Sequence, residues 1–174
     1  MSLRAWHFVG SILRDGRPIP PDGEWLEHTG PLILCESGLH ASLDPFDALQ
    51  YAHGNTLCLV ELDGDILKAS DKVCASRRRI IARIDLTEFL KTFARQQALS
   101  VLHLWDAPPI VEEFLRTGNP AIAATAAAAT AWAAAKAAGA ATRAATAAGA
   151  AKAAATRAET RKVFSSQVET MFLS

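Results

Sequence analysis

The chain has 174 residues, of which half are apolar, and its 18 basic side chains balance 18 acidic ones. This length is sufficient for a domain with its own hydrophobic core. The charges are unevenly distributed, since residues 1–119 carry 12 basic and 16 acidic side chains, and residues 120–174 carry 6 and 2. We interpret so modest an asymmetry as complementarity between two parts of the chain, so nucleic acid is not an expected partner.

The cysteines and the hydropathy pattern bear on the cellular compartment. The chain has three cysteines, Cys35, Cys58 and Cys74, and no Cys-x-x-C spacing. This odd number and spacing argue against a disulfide framework and against a zinc knuckle. The N-terminus lacks the uninterrupted apolar stretch of a signal peptide, and basic residues interrupt the alanine-rich segment near the C-terminus. We therefore expect a cytoplasmic protein with no membrane contact and no metal site.

The first 84 residues have the composition of short strands separated by turns. The pattern predicts strands at Arg4–Val9, Leu32–Cys35, Gly38–Ser42, Thr56–Leu62 and Arg77–Ile84. Asp63-Gly64 predicts a tight hairpin after the fourth of these strands. Asp44-Pro45 predicts the start of a short helix ending near His53-Gly54, because aspartate is a good N-cap and proline suits the first helical position.

After Asp85 the apolar residues recur with a helical period, which predicts helices over residues 86–105 and 109–117. The sequence thus predicts an α+β fold, with a small, mainly antiparallel sheet packed by helices and then a long alanine-rich helix. We place an α+β domain at residues 1–118. A helical extension follows at residues 119–174, and the apolar residues of its last dozen positions are typical of an amphipathic anchor.

Alanine makes up 25 of the 38 residues from 121 to 158. Since alanine has the highest helix propensity and this segment follows Asn119-Pro120, the segment is predicted to be helical. The helix is either continuous to about residue 162 or broken at Gly139 or Gly149, which would give a helical hairpin.

Four larger side chains fall close to one face of this helix and form a candidate partner-binding ridge: Trp132, Lys136, Arg143 and Arg157. One interpretation is a helix that binds a partner or forms a homo-oligomer through its alanine face. The other is a helix packed on its own domain, with the basic residues keeping it soluble.

The segment Gly38–Ala52 holds the densest set of polar residues in the front half. Backbone N–H groups at a helix start favour an anion, so we predict a ligand site with these residues: His7, His40, Ser42, Asp44 and Tyr51. Alternatively, Ser42 and Asp44 only cap the helix and His40 is a hydrogen-bonded structural residue. No residue is assigned a catalytic role, because the spacing alone does not distinguish a nucleophile from a base.

Arg77-Arg78-Arg79, with Arg83, is the basic run of the front half. Such a run can contact phosphates or an acidic partner. Because exposed aromatic residues do not flank it in the sequence, we interpret it as a solvated strand end.

The segment Gly38–Ala52, together with Asp71–Ser76 and the alanine-rich helix, resembles an uncharacterised domain family common in phage and prophage genomes. This resemblance covers most of the chain and implies no activity. It implies an accessory protein in a bacterial host cell, acting on a host partner, for example one involved in defence against phage.

The order of elements is also similar to that of ADP-ribosyltransferases. In that family a first-strand histidine and a tyrosine in a glycine-led segment hold NAD, and a late glutamate orients the ribose. The resemblance implies NAD as a cofactor bound by His7 and His40, although His40 stands where the tyrosine would be and no late glutamate can be assigned.

Three hypotheses about function follow from the sequence. The first is a non-catalytic phage or prophage accessory protein that binds a host protein or a nucleotide-like ligand and has no cofactor. The second is an NAD-dependent ADP-ribosyltransferase. The third is a structural module that oligomerises through its alanine-rich helix.

Overall fold

The structure is a computed structural model that describes residues 2–13, 15–104, 106–141 and 147–173, with the backbone alone between 131 and 156. Its elements are β1 (Leu3–Val9), β2 (Trp25–Glu27), β3 (Leu39–Ala41), α1 (Pro45–Leu49), β4 (Thr56–Lys68), β5 (Val73–Asp85), α2 (Thr87–Ser100), a 3-10 turn (Leu102–Leu104), α3 (Pro109–Thr117), α4 (Pro120–Ala141) and α5 (Ala147–Leu173). The predicted α+β fold is confirmed.

The five strands form one antiparallel sheet in which the β4–β5 hairpin is central. β1 pairs with the free edge of β4, whereas β2 and β3 both pair with β5. Beside β3, Ser42 exchanges two backbone hydrogen bonds of 2.7 and 2.8 Å with Trp6 of β1. The path β1–β4–β5–β3 therefore returns to β1.

The register assigns each side chain to one of two faces, because directly opposite residues of an antiparallel pair point to the same side. Ala5, Val60 and Ile80 are opposite one another and are buried, which identifies the core face. The other side of β5 near β2 carries Trp25 between the guanidinium groups of Arg77 and Arg79, at 4.6 and 4.7 Å. We call this side the outer face.

The predicted hairpin at Asp63-Gly64 is wrong. β4 continues to Lys68, and the chain turns afterwards, where Ala69 N–H donates to the Lys72 carbonyl at 2.8 Å. Gly64 lies instead in a β-bulge between Asp63 and Ile66 with a φ of 75°. A glycine at positive φ suits such a bulge as well as a turn, so the dipeptide alone did not distinguish the two.

The predicted strand at Leu32–Cys35 is also wrong. This segment is a tight turn in which Ile33 pairs only with Ser37, and Cys35 adopts a φ of 69°. The extended segment after Gly38 is confirmed as β3, and the helix start at Asp44-Pro45 is confirmed as α1. That helix ends at Leu49, several residues before the predicted end.

Contacts group the chain into two units. The front unit comprises Met1–Thr87 with Arg161–Ser174, and the helical unit comprises Glu88–Thr160. This grouping differs from the sequence-based division at residue 118. In the front unit, the C-terminal part of α5 buries Phe164 and Val168 completely.

In the helical unit, α3 packs on α4 and ends at Gly118, whose φ of 66° closes the helix. Gly139 lies within α4 and Gly149 within α5, so neither glycine breaks its helix. The stretch between the two helices, residues 142–146, lies outside the described residues. Among the helices that the structure describes, none has the length and apolar character needed to cross a bilayer.

A substitution at Gly38 would test the packing of the turn before β3. Its φ is 114°, and a Cβ there would overlap Cys74 Sγ and lie 2.8 Å from Leu32 Cδ2. We expect Gly38→Ala to lower the free energy of unfolding by about 3 kcal/mol or more. The matched control is Gly16→Ala, whose φ is also positive but whose Cβ would meet open space, with an expected cost of about 1 kcal/mol. Urea unfolding curves showing equal losses for the two variants would contradict the packing described here.

Candidate functional site

Arg78 is the most unusual charged residue of the front unit. Its side chain is only 6% exposed, because it lies opposite Leu62 on the core face of the sheet. Its Nη1 donates a hydrogen bond to the backbone carbonyl of His40. Within the part of the chain that the structure describes, no carboxylate lies within ion-pair distance of its guanidinium.

The other arginines of β5 show how exceptional this is. Arg79 pairs with Glu61 at 2.5 Å, Arg77 pairs with Asp63 at 3.2 Å, and Arg83 pairs with Asp22. These three arginines are also more exposed than Arg78. Among the described residues, the most buried of the four cations is thus the one without a carboxylate partner, although burying a charge without a counter-charge is expensive.

The electrostatics of Arg78 reflect this position. Burial lowers the pKa of its guanidinium, and Asp15 opposes the effect only partly. Asp15 itself is exposed and already accepts two side-chain hydrogen bonds from Arg17, of 2.9 and 2.7 Å. The site around Arg78 therefore retains a net positive charge that a bound anion could neutralise.

Two histidines belong to the same surroundings. His7 is half-buried on the core face opposite Cys58, and His53 is exposed. Burial, followed by the positive charge of Arg78 and the neighbouring imidazoles of His40 and His53, lowers the pKa of His7 well below its ordinary value of 6.5. At neutral pH the His7 imidazole is therefore uncharged and offers one donor and one acceptor. We call His7, His53 and Arg78 the Arg78 cluster.

The thiols near this cluster are in their unreactive form. Burial raises the pKa of Cys58 to about 11, and it also raises the pKa of Cys74. Since the thiolate is the nucleophile, neither cysteine is poised for covalent chemistry at neutral pH. The cluster has the chemistry of an anion-binding site, with a fixed cation and neutral hydrogen-bonding groups.

Of the residues predicted from the sequence, His40 is close to the cluster but its ring is used by the chain itself. Cys35 N–H donates to His40 Nε2 at 3.0 Å, so Nδ1 carries the proton and donates to the Gly38 carbonyl at 3.1 Å. The residue contributes to the Arg78 cluster through its backbone carbonyl.

Ser42 and Asp44 have structural contacts. Ser42 is buried and bonded to Trp6 through its backbone. Asp44 Oδ1 accepts hydrogen bonds of 2.8 Å from the Phe46 N–H, which it caps, and from the Ser165 hydroxyl. With Asp47 also in the first turn, the start of α1 carries two carboxylates that would repel an anion.

Tyr51 belongs to a separate surface cluster. Its hydroxyl donates to Asp71 Oδ2 at 2.5 Å, which lowers the pKa of that carboxyl group. Lys72 Nζ lies 4.7 Å from the Tyr51 ring centre and donates to Cys35 Sγ at 3.1 Å. The five predicted ligand residues are therefore not brought together at one point: His7 and His40 are near Arg78, whereas Tyr51 is held by Asp71 and Lys72.

Sequence reasoning missed Arg78. The interpretation of the arginine run as a solvated strand end is wrong, because the run lies in the middle of β5 and Arg78 is buried. Arg77 and Arg79 are partly exposed, as expected. One signal was present in the sequence, because Arg78 alternates with the apolar Ile80 and therefore shares its face.

The predicted partner-binding ridge is described only at one position. Arg157 is exposed on α5. Arg143 lies outside the described residues, and the side chains of Trp132 and Lys136 lie outside the described part as well.

Other potential sites do not involve the predicted residues. The helical unit has a groove of about 430 Å³ lined by Leu99, Leu102, His103, Asp106, Ala107, Glu112 and Arg116. Across the described residues, no group of three or more His, Cys, Asp or Glu side chains is arranged to hold a metal ion.

Comparison with known proteins gives one match. Residues 5–92 match the sequence model of a domain of unknown function, DUF7666. The chain has no significant match among curated proteins or among solved structures. These comparisons support neither a phage origin nor a similarity to ADP-ribosyltransferases.

The burial of His7 predicts a pH dependence of stability. The unfolded chain binds a proton at this residue below pH 6.5, whereas the folded chain resists protonation until a lower pH. The free energy of unfolding should therefore fall as the pH drops below about 6.5, with a contribution of at most about 1.4 kcal/mol per pH unit from this group. We expect His7→Gln to reduce this slope in urea unfolding between pH 7.5 and 5, and the exposed control His103→Gln to leave it unchanged. A slope unaffected by His7→Gln would show that His7 is protonated as easily in the folded protein as in the unfolded chain.

Proposed function

The chain belongs to the DUF7666 family, whose function is unknown, and we propose that its front unit is a non-catalytic binder of a small, nucleotide-like anion. The phosphate of the ligand would contact the guanidinium of Arg78. His7 and His53 would add hydrogen bonds at the same site. Binding of a host protein instead of a small molecule stays the alternative prediction.

One observation carries this proposal. β5 carries four arginines, and Arg77, Arg79 and Arg83 each pair with a carboxylate. Arg78, buried on the core face opposite Leu62, has no carboxylate within ion-pair distance among the described residues. A buried cation of this kind lowers the stability of the empty protein. Binding of an anion would supply the missing counter-charge through charge-assisted hydrogen bonds, of which arginine can form two in parallel with a phosphate.

The surroundings of Arg78 favour binding over catalysis. The adjacent Cys58 thiol is protonated at neutral pH, and the two ring nitrogens of His40 are both engaged in hydrogen bonds of the turn. The NAD-dependent transferase hypothesis requires His40 to contact the cofactor, which would break these bonds. We therefore place the binder first and keep the transferase as an outcome of the test.

The biological setting is a further part of the proposal. A phage or prophage accessory protein that blunts a host defence would gain from sequestering a nucleotide-like signal without consuming it. Support for this setting comes only from the resemblance of the sequence to phage and prophage domains. Oligomerisation through the alanine-rich helices also stays a prediction.

The test is a thermal-shift and calorimetry screen of the full chain with inorganic phosphate, ADP, NAD and cyclic nucleotides. A ligand at 100 times its Kd should stabilise the protein by about 2.7 kcal/mol. We expect Arg78→Lys, which keeps the charge but loses the planar fork, to weaken binding about tenfold or more. Arg79→Lys, at the neighbouring position on the outer face, is the matched control and should bind normally.

A second variant separates loss of binding from loss of folding. His53 is exposed, so His53→Gln should fold normally and weaken binding several-fold through the loss of one hydrogen bond. Stabilisation by none of these anions, or equal weakening by Arg78→Lys and Arg79→Lys, would contradict the proposal. Consumption of NAD during the screen would favour the transferase instead.

A further inference from the structure

Cys35 carries an exposed thiol in the tight turn before β3. The structure describes all three cysteines, and the other two, Cys58 and Cys74, are buried. The φ of Cys35 is 69°, which is unusual for a residue other than glycine. The turn holds this conformation through two backbone hydrogen bonds between Ile33 and Ser37, of 2.9 and 2.8 Å. The backbone that carries the thiol is therefore fixed.

The ammonium group of Lys72 lies directly beside this thiol. Lys72 Nζ donates a hydrogen bond of 3.1 Å to Cys35 Sγ, although the two residues are 37 positions apart in the sequence. Lys72 lies in the turn between β4 and β5, so the pairing of these two strands determines its place. The contact between nitrogen and sulfur is thus a product of the fold.

Two further side chains confine the ammonium group. Its nitrogen lies 4.7 Å from the centre of the Tyr51 ring and 3.9 Å from Asp71 Oδ1. The Tyr51 hydroxyl donates to Asp71 Oδ2 at 2.5 Å, which holds the ring and the carboxylate together. Hydrogen bonding with Tyr51 and with Cys35 raises the pKa of Lys72, so the nitrogen is protonated at neutral pH. A surface lysine samples many rotamers, whereas this one is held against the sulfur.

A thiol and an amine in such contact can be joined when an oxidant reaches them. The contact replaces a bimolecular encounter by an intramolecular step, which raises the effective concentration of the two groups by several orders of magnitude. The exposure of Cys35 gives a small peroxide access to its sulfur. The buried Cys74 is engaged elsewhere, because its Sγ donates to the Ser37 carbonyl at 3.2 Å. The group in contact with the oxidised sulfur is therefore the nitrogen of Lys72.

We propose that Cys35 and Lys72 form a reversible oxidative cross-link in which one oxygen atom joins the sulfur to the nitrogen, with hydrogen peroxide as the oxidant. One peroxide oxidises the thiol by two electrons to a sulfenic acid, which forms the S–O bond and releases one water. A second peroxide takes the sulfenic hydrogen and one amine hydrogen, so the N–O bond forms and two waters leave. The nitrogen is thereby oxidised by two electrons. Because Lys72 starts as an ammonium ion, one proton is also released.

The cross-link joins the turn before β3 to the turn between β4 and β5. Two equivalents of a dithiol return the four electrons and restore the thiol and the amine, with release of one water. A link between residues 35 and 72 restricts the unfolded chain, so the oxidised protein should be more stable than the reduced protein. The front unit would then respond to peroxide by a reversible change in stability.

The test treats the folded full chain with hydrogen peroxide and maps its proteolytic peptides by mass spectrometry. We expect a pair of peptides linked at Cys35 and Lys72, heavier than the two reduced peptides by about 14 Da, which is one oxygen less two hydrogens. Treatment with a dithiol should separate them. The chain unfolded in urea is the control and should give no such link, because the two residues are then no longer in contact.

A matched pair of variants tests the role of the amine. Lys72→Arg keeps the positive charge but removes the amine, so Cys35 should form sulfenic or sulfinic acid without a link. Lys68→Arg changes an exposed lysine at the end of β4 and should give the link of the wild type. Peroxide should raise the Tm of the wild type and of Lys68→Arg by several degrees, and it should not raise that of Lys72→Arg.

The peptide map of the wild type decides the proposal without depending on the folding of any variant. An unmodified Cys35, or a Cys35 oxidised to sulfinic acid with no linked peptide, would overturn it. A link from Cys35 to a residue other than Lys72, or equal yields of the link in the folded and the unfolded chain, would overturn it as well.

Discussion

The pairing register of β4 and β5 determines on which face of the sheet the arginines of β5 lie. Cys58 is opposite Arg83, but Val60 is opposite Ile80, because a β-bulge between Leu59 and Val60 skips one residue of β5. Without that bulge, regular pairing would place Arg79 on the core face and Arg78 outside. The skipped residue thus places Arg78, instead of Arg79, on the core face.

The consequences of this register extend to both faces of the sheet. On the outer face, Arg77 and Arg79 pack on Trp25 and pair with carboxylates of Glu27, Asp63 and Glu61. On the core face, Arg78 is held by the His40 carbonyl, next to a neutral His7 and protonated thiols. Anion binding follows as a proposal because the sheet concentrates an unbalanced positive charge on its protected side.

Helix α1 begins with two carboxylates, and Arg161 and Ser165 of α5 satisfy them. The sequence segment that first suggested an anion at this helix start therefore binds a cation and a hydroxyl group.

Elements whose structure depends on residues close in the sequence could be predicted from the sequence. Asp44-Pro45 predicted the start of α1 because capping depends on successive residues, and the helical period predicted α3 with the bounds that the structure has. The longer strands were found where β-branched and apolar residues recur, but the apolar segment Leu32–Cys35 is a turn and the short β2 was not predicted. The exact ends of elements were less accurate, as the short α1 shows.

Features that depend on pairing between distant segments could not be predicted. Gly64 forms a bulge and not a turn only because β5 provides partners as far as Lys68 of β4. The burial of Arg78 depends on a bulge at a position with no local signature. Likewise, Tyr51 and Asp71 are 20 residues apart in the sequence, and only the fold brings them into contact and separates Tyr51 from the other predicted ligand residues.

The most direct test of this account is an NMR measurement of the arginine side chains in the unliganded front unit of the full chain. If Arg78 is buried and held by the His40 carbonyl, its guanidinium protons should give separate, slowly exchanging signals that shift when phosphate is added. A solvated arginine gives averaged, rapidly exchanging signals that do not shift with phosphate. Such signals from Arg78 would contradict the pairing register of β4 and β5.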